Sequence, residues 1–528
     1  VSTQSTGNQM IGKPMETFVH KGSWWSPEKE HVVLPVAKEV VNPSQIQSLL
    51  NETLLISKDP HAVSQIIDKA FENATLKNVK ACELKDEFVQ GLSLQDVAVL
   101  LNCDFKDPQL KQKLYDTAFA IKNRIYGNRI VLFAPIYTSN YCSNSCSYCG
   151  FRGANAELDR VAVTNDELIK EVDAMLREGH KRTLMLCGEH PRYSFDQFLD
   201  HVNVVADYKL ENGSEMRRIN VEIPPLSQSD LKRLKREGRK VGTFITFQET
   251  YNEEAYKKYH QSGPKANYQN RLTVQHRSIQ AGLDDVGLGV LYGLYDHKFD
   301  TLAMVAHAHH LNDVFGVGPH TLSVPRIKPA NNAPTSREVP FPVDDDEFKK
   351  LVAILRLAVP YTGMILSTRE SVEMRNELLK MGVSQLSAGS CTDPGGYAKK
   401  QKQQNSHLEH ESTEQFELAD ERNLDQVVLG LLRDGFLPSQ CTSCYGLGRT
   451  GETFMNWAKT GAIQNYCLPN GLITLQEYVQ DYASKPVKAE AEKMIQEQVE
   501  TIGDKKRRAD TKKVLAQVKE DGVRGKLF

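Results

Sequence analysis

The chain has 528 residues, of which 25% are charged, and a formal net charge of -2. This length allows one large catalytic domain with further domains attached to it. The near-neutral charge disfavours a nucleic-acid partner, and no apolar run reaches the ~18 residues that a membrane span requires.

The chain begins with a segment, residues 1–45, that we predict to be an extended arm because its apolar residues follow no helical period. Its only strong anchor is the pair Trp24-Trp25. Residues 1–15 contain no Asp or Glu, a composition that fits a trimmed organelle transit peptide and equally an arbitrary start. Residues 46–127 are predicted to be helical, with Ser93 as the N-cap of one helix.

Residues 128–397 alternate short apolar strands with helical stretches. One of these helices begins with the capping box Thr164 to Glu167 and ends at Gly179. Eight such β/α units predict a (β/α)8 barrel of the TIM type, with a doubly wound open sheet as the alternative. The predicted strands are Arg129–Ile136, Thr183–Cys187, Ile219–Ile223, Thr243–Phe247, Val286–Leu291, His320–Val324, Gly363–Leu366 and Gln385–Ala388.

Two further segments follow the predicted barrel. Residues 398–418 are polar and almost free of apolar side chains, so we predict a linker or an exposed insertion. Residues 419–528 are predicted to form a mainly helical C-terminal domain. Its Lys- and Arg-rich end, from Gly503 onward, is predicted to be a solvated helix.

A Cys-x3-Cys-x2-Cys run, made of Cys142, Cys146 and Cys149, follows the first predicted strand. Three thiolates can hold a four-iron cluster and leave one iron open to a further ligand. A zinc site is the alternative, but it needs a fourth ligand, and no other Cys or His lies within ten residues of either end of the run. Ten cysteines in the whole chain are too few for a disulfide scaffold, which favours a reducing compartment.

A second cysteine group lies in the C-terminal region, where Cys441, Cys444 and Cys467 form a Cys-x2-Cys-x22-Cys pattern. It also offers three ligands, whereas a zinc ribbon would need a second Cys-x2-Cys pair. We therefore predict a second four-iron cluster, again with one open iron.

Barrel enzymes carry their working groups at the C-terminal ends of the strands. The second predicted strand ends in Gly188 and Glu189, where a glycine permits close approach of a ligand and a carboxylate accepts from an ammonium group. The fourth ends in Gln248 and Glu249, which are acceptors for hydroxyl or amino groups. The alternative for both pairs is a surface acid at a strand end.

Three more candidates lie on the fifth and sixth strands. Gly287 and Gly289 would let a flat adenine ring lie against the backbone, although a bulge or tight packing explains strand glycines equally well. Arg326 suits bidentate capture of a substrate carboxylate, with a structural salt bridge as the alternative. His320 is placed at the barrel floor, where a lone histidine is usually structural.

The first cysteine run, with Tyr148 directly before its last cysteine, resembles the signature of the radical S-adenosylmethionine (SAM) superfamily. Together with the strand-end residues and the second cysteine group, it resembles the HydG family of tyrosine lyases, which mature iron-iron hydrogenases. The resemblance covers about residues 80–500. The thiamine-pathway tyrosine lyase ThiH is similar through the barrel but lacks the second cysteine group, and a ThiH-like enzyme that makes dehydroglycine for thiazole synthesis is the alternative function.

The resemblance implies that the first cluster binds SAM at its open iron and cleaves it to a 5′-deoxyadenosyl radical. The radical then takes a hydrogen from the amino group of L-tyrosine, and Cα–Cβ cleavage releases p-cresol and dehydroglycine. Arg326 is the candidate for the tyrosine carboxylate. The residues that would bind the SAM cofactor are Tyr148, Gly188, Glu189, Gln248, Glu249, Gly287 and Gly289.

At the second cluster, the resemblance implies conversion of dehydroglycine to carbon monoxide and cyanide, which form an Fe(CO)(CN) precursor of the hydrogenase H-cluster. An additional iron with a free cysteine would sit on that cluster, and His320 is the candidate protein ligand of this iron. The implied partners are the maturation proteins HydE and HydF as product acceptors, with a reductant protein such as ferredoxin. The implied location is a reducing anaerobic compartment: a chloroplast stroma or other organelle matrix in a eukaryote, otherwise the cytoplasm.

Overall fold

The computed structural model describes residues 22–30, 34–74, 91–283, 285–403, 414–443, 452–460 and 462–528. Within these ranges the strands form one parallel sheet. The strands are β1 Arg129–Ser139, β2 Arg182–Cys187, β3 Arg218–Glu222, β4 Val241–Ile245, β5 Val286–Gly289, β6 Thr321–Ser323, β7 Gly363–Leu366, β8 Gln385–Ser387 and β9 Leu437–Ser439.

The helices flank this sheet and form both terminal regions. They are α1 Ala37–Val40, α2 Pro43–Glu52, α3 Pro60–Asn73, α4 Leu94–Asn102, α5 Pro108–Tyr126, α6 Asn165–Glu178, α7 Phe195–Asp207, α8 Gln228–Glu237, α9 Glu253–Tyr259, α10 Tyr268–Leu272, α11 Val274–Gln280, α12 His297–Phe315, α13 Pro334–Arg337, α14 Asp345–Ala358, α15 Val372–Leu379, α16 Gly396–Gln403, α17 Leu424–Arg433, α18 Glu452–Lys459, α19 Gln464–Asp481, α20 Lys485–Glu500 and α21 Lys505–Glu520.

The sheet closes into a barrel because β1 pairs with β2 on one side and with β8 on the other. Strands β2 to β8 follow one another around the barrel in chain order, which confirms the predicted TIM-type (β/α)8 fold. The ninth strand was not predicted. It comes from the C-terminal region and pairs with Arg129 to Val131 of β1, below Ala134, where β2 joins.

Every predicted strand is present, with shifts at its ends. β1 continues to Ser139 because its last residues pair with the end of β2 at Cys187. β4 runs from Val241 to Ile245, two residues earlier than predicted, because Phe244 and Ile245 pair with Val286 and Gly287 of β5. The residues after Ile245 therefore belong to the loop that follows β4 and leads to the site.

The predicted helix boundaries are confirmed where capping chemistry defined them. Thr164 and Glu167 form a reciprocal capping box on α6, and Gly179 ends that helix with a φ of 101°. Ser93 accepts from the backbone N–H of Asp96 at the start of α4. No helix in the described ranges is long and apolar enough to cross a membrane.

The two segments predicted to be irregular contain ordered parts. In the arm, Pro27–Lys29 forms a turn of 3-10 helix, Trp24 and Trp25 are buried, and residues 1–21 and 31–33 lie outside the described ranges. The polar segment begins within α16, and residues 404–413 are not described. Its end returns to the barrel, where Phe416 is buried.

Candidate functional site

The first cysteine loop leaves the C-terminal end of β1 and is held against the end of β2. The backbone N–H of Ser143 donates to the carbonyl of Glu189 at 2.8 Å, and that of Gly188 donates to the carbonyl of Ser139 at 3.0 Å. A Cβ at position 188 would collide with the carbonyl oxygen of Tyr141 and lie 3.0 Å from the Cβ of Cys142. Glycine is therefore required at position 188 for this close approach.

Cys142, Cys146 and Cys149 line one cavity of about 140 Å³ at the barrel mouth. Burial raises the pKa of Cys146 to about 12 and also raises that of Cys149. At neutral pH these two thiols therefore keep their protons until a bound metal displaces them and converts the thiols to thiolates. The Asn144 amide donates to Cys142 Sγ at 3.5 Å, and the Gln415 amide donates to Cys149 Sγ at 3.7 Å. Such hydrogen bonds stabilise the thiolate form that binds a metal.

The donors at the barrel mouth are three thiols that line one cavity. In the part of the chain that the structure describes, no three His, Cys, Asp or Glu side chains converge on one metal position. A zinc ion needs its ligands around one point, whereas an iron-sulfur cluster binds each cysteine at a separate iron.

Two of the predicted carboxylates face this cavity. Glu189 is buried, which raises its pKa to about 7, and it accepts a hydrogen bond from the backbone N–H of Trp24 at 3.1 Å. Glu249 adopts a φ of 71°, which is unusual for a residue with a side chain. Its carboxylate forms an ion pair with Lys265 at 2.6 Å, and both residues line the cavity.

Tyr148 and Gln248 have different places. Tyr148 lines the cavity, and its hydroxyl is 2.7 Å from His260 Nε2. Gln248 is buried beside the cavity rather than lining it. Neither atom of its amide has a hydrogen-bond partner among the described residues.

Gly287 and Gly289 are explained by packing within the barrel wall. A Cβ on Gly289 would collide with the ring of Phe247, and one on Gly287 would lie 2.6 Å from Thr321 Oγ1. Neither glycine lines the cavity, whereas Phe247 does. Gly289 thus leaves room for Phe247 in the cavity wall, and Gly287 leaves room for Thr321 within the sheet.

The structure does not bring Arg326 into the cavity. Its guanidinium donates to Glu370 at 3.0 Å, to Asp345 at 2.8 Å and to the Val343 carbonyl at 2.9 Å. It also lies 4.5 Å from the centre of the Phe348 ring. The guanidinium N–H groups are therefore engaged by these three residues. This matches the structural salt bridge that the sequence analysis gave as the alternative to binding a substrate carboxylate.

The barrel floor carries a second, smaller cavity of about 20 Å³, lined by His320 and Cys441 among others. His320 Nδ1 is 3.5 Å from Asp285, and burial lowers the pKa of His320 to about 4, so the imidazole is neutral at pH 7. Cys467, in the first turn of α19, is also buried. Cys444 lies outside the described residues.

Comparison with known proteins places this geometry in a family. Residues 136–308 match the Radical SAM superfamily, and residues 323–437 match the Biotin and Thiamin Synthesis associated domain. A solved structure of HydG, a maturase of the FeFe-hydrogenase, has a TM-score of 0.84 and 42% identity, covering 93% of this chain and 100% of its own. The chain belongs to the HydG family.

Two further relatives agree with this assignment. The FeFe-hydrogenase maturase HydG from Carboxydothermus hydrogenoformans is 35% identical with a TM-score of 0.72, covering 91% of this chain and 100% of its own. The 2-iminoacetate synthase of Salmonella typhimurium is 29% identical over 367 residues, which are 69% of this chain and 90% of that protein. As a HydG-family member the chain is a radical SAM lyase, a class that uses a 4Fe–4S cluster and SAM, and the three thiols at the mouth fit that cluster.

The barrel also contains cavity-lining residues that the sequence analysis missed. Below the mouth, a cavity of about 80 Å³ continues into the barrel and shares part of its lining with the mouth cavity. Arg369 and Glu222 line both cavities, and so do Gln415 and Phe416 from the segment predicted to be a linker. Arg369 lies three residues beyond the end of β7, so the rule that working groups lie at strand ends could have found it. Nothing in the composition of the polar segment indicated that Gln415 and Phe416 return to the site.

Arg369 and Glu222 have opposite charges within this shared space. Burial lowers the pKa of Arg369, whose guanidinium lies 3.4 Å from the centre of the Phe416 ring. In the described part of the chain no carboxylate lies within ion-pair distance of Arg369. Burial raises the pKa of Glu222 to about 7.

Proposed function

We propose that this chain is a tyrosine lyase of iron-iron hydrogenase maturation. It cleaves L-tyrosine to p-cresol and dehydroglycine and converts dehydroglycine to carbon monoxide and cyanide at a second cluster. The observation that carries the proposal is that three cysteines line a cavity at the barrel mouth, and that Cys441, a member of the second cysteine group, lines a cavity at the barrel floor. When bound, the first cluster and SAM supply the radical that removes a hydrogen atom from the substrate.

The SAM site is formed by the mouth cavity. Cys142, Cys146 and Cys149 hold the cluster, and Glu189 accepts from the ammonium group of SAM. Glu249 is available to the ribose hydroxyls, and Tyr148 forms part of the wall. Support for these roles comes from the shared lining of the cavity and from the family to which the chain belongs.

The amino-acid substrate is recognised by the two charged residues that the mouth and barrel cavities share. Arg369 binds the carboxylate of tyrosine, because a buried guanidinium that forms no ion pair within the described residues is stabilised by a bidentate partner. Glu222 accepts a hydrogen bond from the amino group. This replaces Arg326 as the candidate for the carboxylate.

The route between the two ends is short. Inward-facing residues two apart on one strand line different cavities: on β1, Phe133 lines the barrel cavity and Val131 the floor cavity, and on β7, Ile365 and Gly363 do the same. Such residues are separated by roughly 7 Å along the strand. Dehydroglycine therefore has to pass one layer of side chains to reach the floor, away from bulk water.

At the floor, Cys441, Cys444 and Cys467 hold the second cluster, and neutral His320 binds the additional iron that carries a free cysteine. The Arg182 guanidinium donates to the Cys441 carbonyl at 2.9 Å, which fixes the start of this loop against β2. HydE and HydF are the proposed acceptors of the product, and a protein such as ferredoxin is the proposed reductant.

The test is anaerobic turnover of the iron-reconstituted protein with dithionite, SAM and tyrosine. We expect p-cresol, 5′-deoxyadenosine and carbon monoxide from the wild type. The Cys441→Ser, Cys444→Ser double variant should still form p-cresol but no carbon monoxide, because only the floor site is lost. Absence of p-cresol from the wild type would refute the proposal. A ThiH-like enzyme, the alternative function, would form p-cresol without carbon monoxide even as wild type.

A further inference from the structure

The N-terminal arm, which contains Trp24 and Trp25, reaches the proposed SAM site. The backbone N–H of Trp24 donates to Glu189 Oε1 at 3.1 Å, and the hydroxyl of Ser23 donates to the same oxygen at 3.3 Å. Glu189 is 3% exposed, the bond from Trp24 is buried, and the bond from Ser23 is partly buried. Hydrogen bonds to a buried carboxylate are among the stronger ones in proteins.

The arm approaches Glu189 from outside the cavity. Neither Ser23 nor Trp24 lines the cavity, whereas Glu189 does. An ionised carboxylate has about four acceptor sites. The arm occupies two of them, both on Oε1, which leaves acceptor sites for a ligand in the cavity.

The position of Trp24 is fixed independently of Glu189. Its indole N–H donates to the Tyr193 carbonyl at 3.0 Å, and its ring packs against Phe195 and Phe198 of α7, with ring centres 6.0 and 5.9 Å away. Trp24 is 8% exposed. Its backbone N–H therefore points at Glu189 from a rigid support.

The rest of the arm is anchored to the barrel helices. Ser26 exchanges two hydrogen bonds with Ser227, at 2.9 and 2.8 Å, just before α8. The indole N–H of Trp25 donates to Glu30 at 2.8 Å, and Glu30 forms a fully buried ion pair with Arg277 of α11 at 3.1 Å. Removing one partner of such a pair is strongly destabilising, so the arm is an integral part of the fold.

We propose that Ser23 and Trp24 are positioning residues for SAM: they hold the Glu189 carboxylate from outside the cavity so that it is oriented to accept from the ammonium group of SAM. The inference rests on the proposed role of Glu189. A glutamate side chain that is already fixed loses less rotamer freedom when its ligand binds. The arm thereby strengthens SAM binding without contact with SAM.

The test uses the full-length, iron-reconstituted protein and measures the KM for SAM and kcat in 5′-deoxyadenosine formation, with the SAM-induced change in the EPR spectrum of the reduced protein as a binding titration. Ser23→Ala removes the hydroxyl donor and Trp24→Pro removes the backbone donor. We expect SAM affinity to fall a few-fold in Ser23→Ala and on the order of tenfold in Trp24→Pro. The kcat at saturating SAM and the KM for tyrosine should not change. Ser23→Thr, which keeps the hydroxyl, should restore affinity.

Trp25→Phe and Lys29→Ala are matched controls, because they break arm contacts to Glu30 and Asp230 without touching Glu189. Both should keep the wild-type KM for SAM. An unchanged KM in Ser23→Ala and in Trp24→Pro would overturn the inference and leave the arm as a structural anchor. An equal loss in the controls would overturn it as well, and melting temperatures identify any variant that simply unfolds.

Glu189→Gln separates this inference from the function on which it rests. If that variant binds SAM as tightly as the wild type, the role of Glu189 fails and the arm inference fails with it. If Glu189→Gln loses SAM binding while Ser23→Ala and Trp24→Pro retain it fully, only the inference about the arm fails.

Discussion

Arg369 and Arg326 leave neighbouring strands of the barrel, yet their surroundings differ in one decisive respect. Arg326 is paired with Glu370 and Asp345, while Arg369 lines both the mouth cavity and the barrel cavity beside Phe416. Both arginines lie where barrel enzymes place working groups. From sequence position we could predict that an arginine at a strand end binds the substrate carboxylate. Which of the two arginines is available depends on the Asp and Glu side chains of the protein that fold against each of them.

Replacing Arg369 with Gln is expected to raise the KM for tyrosine roughly 10- to 100-fold, since a charge-assisted hydrogen bond contributes about 1.5–3 kcal/mol. SAM cleavage should continue without tyrosine cleavage, so the ratio of 5′-deoxyadenosine to p-cresol should rise. The measurement is product quantification at varied tyrosine concentration.

Arg326→Gln is the control for this change. It should leave the KM for tyrosine unaltered and lower the melting temperature, because Glu370 is buried and loses its main partner. A higher KM for tyrosine in Arg326→Gln, with no effect in Arg369→Gln, would reverse the assignment of the carboxylate site.

At the scale of elements, the eight barrel strands and the capped helices could be predicted because they follow from local patterns. The apolar runs and the capping box at Thr164 contain that information within a few residues. Strand β9 and the return of Gln415 to the cavity depend on contacts between distant parts of the chain. Leu437–Ser439 has a proline at its centre and lies outside the repeated β/α units that marked the other strands, so no local pattern indicated it.

The junction between β2 and the cysteine loop gives a prediction at this scale. In Gly188→Ala the new methyl group meets the carbonyl oxygen of Tyr141, so the cysteine loop has to move away from Glu189. We expect lower iron content and at least a tenfold loss of 5′-deoxyadenosine formation, since displacements of about 1 Å in a site cost on the order of 100-fold. Iron analysis and product quantification measure both effects.

Gly503→Ala serves as its control, because no atom lies within 4 Å of a Cβ at that position. That variant should match the wild type in iron content and product formation. Full iron content and full activity in Gly188→Ala would contradict this prediction. They would mean that the close approach of Gly188 to the Tyr141 carbonyl is not needed for function.

At the scale of the whole molecule, buried neutral histidines predict a sensitivity to acid. Burial lowers the pKa of His180 to about 3 and that of His276 to about 4, below the value of 6.5 for an exposed histidine. The neutral form is favoured in the folded state, so this contribution to stability is complete above pH 6.5 and is lost as the pH falls below it. For His180 alone the loss at pH 5 is about 2 kcal/mol.

The variant His180→Leu has no group to protonate at this position, so its free energy of unfolding should fall less between pH 7 and pH 5 than that of the wild type. Denaturant unfolding at both pH values measures the difference. His61→Leu, at an exposed site, is the control and should keep the wild-type pH dependence. An identical pH dependence in His180→Leu and the wild type would contradict the prediction.

The two-ended organisation of the barrel is the central claim, and EPR spectroscopy of the dithionite-reduced protein with and without SAM tests it most directly. We predict two 4Fe–4S signals, of which only one changes when SAM is added. The signal that ignores SAM should disappear in the Cys441→Ser, Cys444→Ser double variant, and the responsive one should remain. A single signal in the wild type, or loss of the SAM-responsive signal in that variant, would contradict the account.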